Sequence, residues 1–229
     1  MTRKAILLSA SQPSAPIHGV HTDIASWQLS LSSGPGGAWT HQEIVRLDNC
    51  DREAVLAAVR SAKGADYSLF VFAGQGGIRQ GDLPWPEANI LLSDGGSLSE
   101  RELNSGTPRC TMVFDWSNRT SAEPAPAGSE ADQDGVKCRH LFDQALEKAE
   151  GGLVKIYAST SDNAASQGPS FSRLLLRTAQ EWASQNHGIL SLQQAVSLVV
   201  ETAQKADPLL KAEYQGGRRL RHFPLAVSL

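Results

Sequence analysis

Cysteine is scarce. The 229 residues hold three, Cys50, Cys110 and Cys138, an odd number at wide spacings that suggests neither a disulfide framework nor a zinc motif. They read as reduced thiols of a cytoplasmic protein. Charge of one sign is lacking as well: 21 Lys and Arg stand against 24 Asp and Glu, a net charge of -3. No basic field therefore argues for nucleic acid or an anionic membrane. Long apolar runs are also missing. The opening MTRKAILLSA has a basic start but an apolar run of only about five residues, too short for a secretion signal or a membrane span. Nucleic acid and membrane are not expected as partners, and nothing calls for a metal or a cofactor.

What is present is an ordinary globular balance, 41% hydrophobic and 20% charged, on a chain long enough for one large domain or two small ones. Strand and helix signals alternate along it. KAILLSA reads as a strand, VHTDIASWQLSL as an amphipathic helix, HQEIVRL as a strand, and DREAVLAAVRSAK as a helix with Asp51 as N-cap. DYSLFVFAG is a near-continuous apolar run of the sort that a parallel strand covered on both faces requires. After a Gly- and Pro-rich loop come a short apolar piece ANILLSDGG, a helix at SLSERELNS and a strand RCTMVFD.

The stretch SAEPAPAGSEADQDG, from Ser121 to Gly135, has no aliphatic residue larger than alanine and is expected to be mobile. A helix near CRHLFDQALEKAE, a strand LVKIYAS, helices near SFSRLLLRTAQEWAS and SLQQAVSLVVETAQK, and a terminal apolar run HFPLAVSL follow. This order predicts an α/β fold, a mostly parallel sheet of about six strands with helices on both faces. Functional side chains of such sheets gather at the carboxyl ends of the strands.

Taken together, these segments resemble the caspase-like superfamily of cysteine peptidases, particularly its metacaspase and bacterial branches. The first strand and helix of that family, of the types KALLIG and G-x-x-x-D-A, are matched by KAILLSA and GVHTDIA. Its F-S-G-H-G turn is matched by FAGQGG, and its D-x-C turn by FDWSNRT. VKIYASTSDNAAS resembles the strand that lines the substrate cleft, and HFPLAV the closing strand of the fold. The resemblance implies one caspase-like three-layer domain over 1–229, with a large-subunit-like part at 1–120, a mobile acidic Pro/Ala/Gly loop at 121–136 and a small-subunit-like part at 137–229.

The departures fall on the chemistry. Where the family has its histidine this chain has Gln75, and where it has its cysteine this chain has Ser117. Each residue alone is an ordinary turn residue; their coincidence at two strand ends makes them the former dyad. A glutamine amide does not titrate near neutral pH and cannot serve as general acid or base, which leaves Ser117 an unactivated alcohol. No catalytic residue is expected. Among the six histidines, His18 and His21 lie nearest the loop that enters the cleft in the family. Cys110 is placed at the far edge of the sheet, and Cys138 follows the acidic loop.

By the same resemblance, Asp23 and Asp115 match acidic residues that form a pocket for an Arg or Lys side chain, although Asp23 equally suits a helix N-terminus. Gly76, Ser159 and Thr160 complete the expected peptide-binding positions. The acidic loop reads as a solvated tether or a processing site, and Arg218, Arg219, Arg221 and His222 as a solvated basic cluster or a dock for an acidic partner. The reading that results is an inactive, protein- or peptide-binding pseudopeptidase, a regulator, scaffold or decoy of the kind found in bacterial defence or cell death. Its expected partner is a peptide or an active caspase-like protease, and a homodimer or heterodimer is compatible with it. The alternative is an active or engineered-inactive endopeptidase cleaving after a basic residue.

Overall fold

The computed structural model describes residues 1–14, 16–79, 87–116, 134–160, 169–206 and 210–229. The chain builds β1 (Arg3–Ala10), α1 (Val20–Ser32), β2 (Ile44–Asp48), α2 (Arg52–Ser61), β3 (Tyr67–Gly74), β4 (Gly76–Arg79), β5 (Glu87–Leu91), β6 (Ser97–Ser99) and α3 (Glu100–Leu103). It continues with β7 (Arg109–Trp116), α4 (Asp134–Lys148), β8 (Gly152–Thr160), α5 (Phe171–Gln185), β9 (Gly188–Ser191), α6 (Leu192–Ala206), β10 (Leu210–Gln215) and β11 (Pro224–Ser228).

One six-stranded sheet, in the order β10-β8-β7-β3-β1-β2, runs through the centre. Its first five strands in sequence, β1, β2, β3, β7 and β8, are mutually parallel, and β10 closes the edge antiparallel to β8. The apolar runs are continuous because both faces of the sheet are covered. Ala5, Leu7, Leu69, Val71, Val113 and Ile156 pack with α1, α4, α5 and α6, whereas Ile6, Leu8, Phe70, Phe72, Met112 and Phe114 pack with α2, α3 and the small β4-β5-β6 sheet. The alternation of side chains along β7 puts odd-numbered Val113 and Asp115 on the α1/α5 face, and even-numbered Phe114 and Trp116 on the other. That parity decides what each residue at the strand end can reach.

Local signals set most of the ends. Asp51 caps α2 by accepting the Ala54 N–H at 2.8 Å, and Ser170 caps α5 by accepting the Arg173 N–H at 3.3 Å. Gly19 enters α1 in the left-handed region at φ 89, which glycine adopts without strain.

Three elements differ from the sequence expectations. SLSERELNS forms strand β6 and a single turn, α3, in place of a helix. Its Ser99–Glu102 capping box starts a helix, which stops at Asn104 where the side chain accepts the Gly106 N–H. The terminal run HFPLAVSL does not close the main sheet: β11 pairs with β9 in a separate two-stranded sheet. The sixth strand is instead β10, whose sequence LKAEYQ buries Leu210 while Lys211 stays exposed, the half-polar pattern of an edge strand. Finally, α4 begins at Asp134, inside the segment 121–136 read as a mobile loop; 121–133 lie outside the described residues.

Candidate functional site

The parallel strands end together. In register, Ser9 faces Asp48 on one side and Ala73 on the other, Ala73 faces Asp115, Asp115 faces Ala158, and Trp116 faces Ser159. Gln75 follows β3 directly. It is half-buried, and its carbonyl accepts the Leu91 N–H at 2.9 Å, which ties the β3–β4 turn to β5. Ser159 is half-buried, and Thr160 ends β8. Ser117 lies outside the described residues, one position beyond the end of β7. The strand ends thus bring Gln75, Gly76, Asp115 and Ser159 to one edge of the sheet.

On the α1/α5 face two carboxylates meet the first turn of α5. Asp23, Asp115 and Arg173 are each more than nine-tenths buried. Asp23 Oδ1 accepts from Arg173 Nε at 2.7 Å, and Asp115 Oδ2 accepts the Ser172 backbone N–H at 2.7 Å. Burial, and secondarily the charge of Asp115, pushes Asp23 up to about 6 despite its bonds to Arg173 and Ser170. Arg173 Nη1 and Nη2 are buried with no hydrogen-bond acceptor among the described residues. A cation in the first turn of a helix opposes the positive end of the helix dipole, so α5 needs the carboxylates that face it. Of the two acids expected to take an external basic side chain, Asp23 is bound to a guanidinium of its own chain, and Asp115 to the backbone of the neighbouring residue, Ser172.

The opposite face is aromatic. Phe114, Trp116 and Tyr157 stack with ring centroids 5.6–5.8 Å apart and interplanar angles of 15–26°. Tyr157 donates its hydroxyl to Glu100 at 2.7 Å, and Lys155 pairs with the same carboxylate at 2.9 Å. A Cβ on Gly76 would press into the Trp116 indole nitrogen and lie 2.5 Å from the Asn89 carbonyl, so only glycine lets β4 pass over the ring.

The strand ends also hold a serine, a histidine and an aspartate. Ser9 Oγ lies 2.7 Å from His21 Nδ1 and donates to Asp48 Oδ1, which is itself 3.3 Å from His21 Nδ1. Burial pushes Asp48 up, but hydrogen bonds from Ser9 and Arg46 outweigh it and hold the carboxyl below its usual range. This is not a nucleophile relay. In such a relay the two imidazole nitrogens separate the acid from the hydroxyl; here one nitrogen faces both, Nε2 faces Asn49 Nδ2 at 3.3 Å, and Ser9 is fully buried. His18 is exposed. Cys110 and Cys138 are buried, and burial pushes both thiols up, away from the thiolate a nucleophile needs.

No family model matches the chain, and no curated protein matches it. Solved structures do. The Drosophila initiator caspase Dronc superposes on 97% of this chain and 82% of its own, with a TM-score of 0.54 and 11% identity. The fold is caspase-like. The structure of pro-sf-caspase-1 aligns over 99% of this chain and 91% of its own at 8% identity, with a TM-score of 0.49.

The remaining sequence expectations find their places in this caspase-like frame. The basic cluster before β11 is tied down at Arg219, which donates to the Glu150 carbonyl and lies 4.8 Å over the Phe223 ring. The Glu150 carboxylate accepts the N–H groups of Leu220 and Arg221, and His222 Nδ1 is 2.8 Å from the Tyr214 hydroxyl. No group of three or more possible metal ligands occurs among the described residues, and no described helix is long and apolar enough to cross a membrane. Sequence reasoning missed Arg173, Ser9 and Asp48. Arg173 had a signal: a lone arginine in the first turn of SFSRLLL, against the helix dipole, asks for buried acids elsewhere. Ser9 and Asp48 had none, since each is one small polar residue ending an apolar strand.

Proposed function

We propose that this chain is a caspase-like protein that binds a protein or peptide without cleaving it, acting as regulator, scaffold or decoy. The observation that carries the reading is Gln75 at the end of β3, beside β7, in the place where the resemblance puts a histidine. An amide there orients and hydrogen-bonds but moves no proton. Sites stripped of their proton-transfer groups keep only about 10³ to 10⁴ over the uncatalysed rate, short of the roughly 10⁶ at which enzymes begin.

The binding surface in this reading is formed by the strand ends, with Gly76, Ser159 and Thr160 beside a bound segment and the buried Asp23 and Asp115 beneath it. An extended peptide lying across the strand ends and held by main-chain hydrogen bonds is the occupant this reading expects. An active caspase-like protease is the partner that the fold suggests first.

The test is peptidase activity on a mixed Arg, Lys and Asp peptide library, comparing the chain with a Gln75→His, Ser117→Cys double variant. The unmodified chain is expected to leave the library intact and the double variant to cleave it. Cleavage by the unmodified chain, abolished by Ser117→Ala, would overturn the reading and return the protein to the endopeptidases.

A further inference from the structure

Beyond the other end of β8 from Ser159 and Thr160, a groove carries charge that the fold does not answer. It lies between the last turn of α4, β9, the first turn of α6 and the segment before β11, and has a volume of about 510 Å³. Lys148, Arg221 and His222 line it together with Ile189, Gln193 and Leu220, and none of its described lining residues is acidic. The Lys148 ammonium and the Arg221 guanidinium make no hydrogen bond or ion pair among the described residues. At roughly 3.3 Å per residue, the 9 residues of β8 put about 25 Å between this groove and the strand ends.

The segment that presents these groups is fixed in place. Arg219 donates to the carbonyls of Gly216 and Glu150 and lies over the Phe223 ring. The Glu150 carboxylate accepts the Leu220 and Arg221 N–H groups at 3.3 and 3.1 Å, so it faces the backbone and leaves the Arg221 guanidinium unanswered. Leu220 is 94% exposed on this held backbone, and Ile189, on the same groove, is 40% exposed. A single exposed leucine on a loose loop is ordinary. This one is already ordered, so a ligand that covers it gains the apolar contact without the entropic cost of fixing the loop.

We infer that this groove docks an acidic peptide segment of a partner protein, with an aliphatic side chain against Leu220 and Ile189 and Asp or Glu carboxylates on Lys148 and Arg221. The arrangement is that of a protein interface, an apolar centre with a polar rim. A small inorganic anion would answer the two cations but leave both aliphatic residues in water. Nucleic acid and anionic lipid ask for an extended basic field, and this chain has a net charge of -3. Carboxylates beside an aliphatic residue meet both features of the groove at once. This surface is separate from the strand ends and does not rest on how Gln75 is read.

Short random peptides displayed on phage are selected against the wild-type chain and, in parallel, against a Lys148→Glu, Arg221→Glu double variant. Peptides enriched on wild type are expected to carry Asp or Glu beside Leu, Ile or Val, and the double variant is expected not to retain them. For one such peptide, read by fluorescence anisotropy, the double variant is expected to bind about tenfold or more weakly and Leu220→Ser about fivefold or more weakly. Added salt is expected to weaken the wild-type complex. Gln75→His, at the strand ends, is expected to bind the peptide as wild type does.

Thermal melts of the variants check that the fold is kept; if charge reversal lowers the melting temperature, Lys148→Gln with Arg221→Gln repeats the comparison. No enriched peptide, enriched peptides without acidic residues, or acidic peptides held equally by the double variant would overturn the inference. A single-stranded oligonucleotide and phosphatidylserine vesicles are titrated alongside. Binding of either one that the double variant loses, with no peptide enriched, would give the groove to nucleic acid or lipid instead. Peptidase activity in the unmodified chain would overturn the proposed function and leave this docking site standing.

Discussion

Asp115 Oδ2 accepts the backbone N–H of Ser172 at 2.7 Å, a buried bond that fastens the start of α5 to the end of β7. The first-turn N–H groups of a helix have no partner within the helix, and this one is answered by a strand rather than a cap. Replacing Asp115 with alanine removes the acceptor and strands a buried donor, at a cost of about 1–3 kcal/mol or more because the acceptor is charged. Asp115→Asn keeps a carbonyl oxygen and is expected to lose clearly less. Urea denaturation of the two variants checks this, and equal losses would mean that the bond is not what Asp115 contributes.

The same carboxylate sets a pH dependence. Asp23 is raised to about 6 in the fold, by burial first and by Asp115 second, against about 4 for a free aspartate. Between those values the folded chain keeps a proton that the unfolded chain has released, so stability rises as pH falls from about 6 to about 4. The gain is up to about 3 kcal/mol, since each tenfold difference in proton affinity between the folded and unfolded chain is worth about 1.4 kcal/mol. Asp115→Asn removes the second cause and is expected to flatten the rise. Urea midpoints at pH 7 and pH 5 for both proteins decide it: a midpoint that falls or stays level in wild type over this range contradicts the assignment.

Much of the architecture was legible in the chain because burial on both faces writes itself as apolar runs. The strands at Arg3–Ala10, Tyr67–Gly74, Arg109–Trp116 and Gly152–Thr160 are of this kind, and the cap at Asp51 was legible from its residue type. What was not legible is half-polar or non-local. The edge strand LKAEYQ alternates too weakly to stand out from a loop, and the terminal PLAVS, apolar enough for a central strand, is apolar because α4, α5 and α6 cover it. In the site, Gln75, Asp23 and Asp115 are visible as residues at strand and helix ends. The partner of Asp23 lies 150 positions away, and only the folding of the sheet brings it there.

Two neighbouring glycines give a contrast that tests the aromatic side of the strand ends. An added methyl at Gly76 meets Trp116 and the Asn89 carbonyl at distances that real side chains do not tolerate, while at Gly77 it meets nothing within 4 Å. Gly76→Ala is expected to cost about 1–3 kcal/mol by forcing β4 away from the indole. Gly77→Ala is expected to be neutral or to stabilise by up to about 1 kcal/mol through the unfolded chain. Thermal melts with Trp fluorescence read both effects, since a displaced β4 changes the surroundings of Trp116. A Gly76→Ala variant as stable as Gly77→Ala would show that the close approach is not real.

At the other end of β1, about 23 Å from the site at 3.3 Å per residue, a second buried charge group holds the fold by itself. Arg3 has no side-chain exposure; it lies 4.4 Å over the Trp39 ring and pairs with Asp143 at 3.2 Å and with Glu43 at 3.5 Å. Glu43 is gripped harder by Arg139, at 2.6 and 2.9 Å, and accepts the Thr40 N–H at 2.7 Å. Burial alone would push Glu43 up, but these donors and the charge of Arg3 bring it down to about 2. A carboxyl depressed in the fold contributes stability that is present above its unfolded pKa, about 4.3, and is lost as pH falls from there toward 2. Glu43 therefore opposes Asp23 on the acid side, and stability is expected to peak near pH 4–5 where the two trends cross. Glu43→Gln leaves Arg3 and Arg139 facing an amide that accepts fewer bonds while Asp143 still pairs with Arg3, at a cost of about 1–3 kcal/mol. It is expected to lower the melting temperature and to reduce the acid-side loss, to which the depressed Asp48 also contributes, while leaving the rise between pH 6 and pH 4 in place. If that rise also disappears, it belongs to this end of the sheet and not to Asp23.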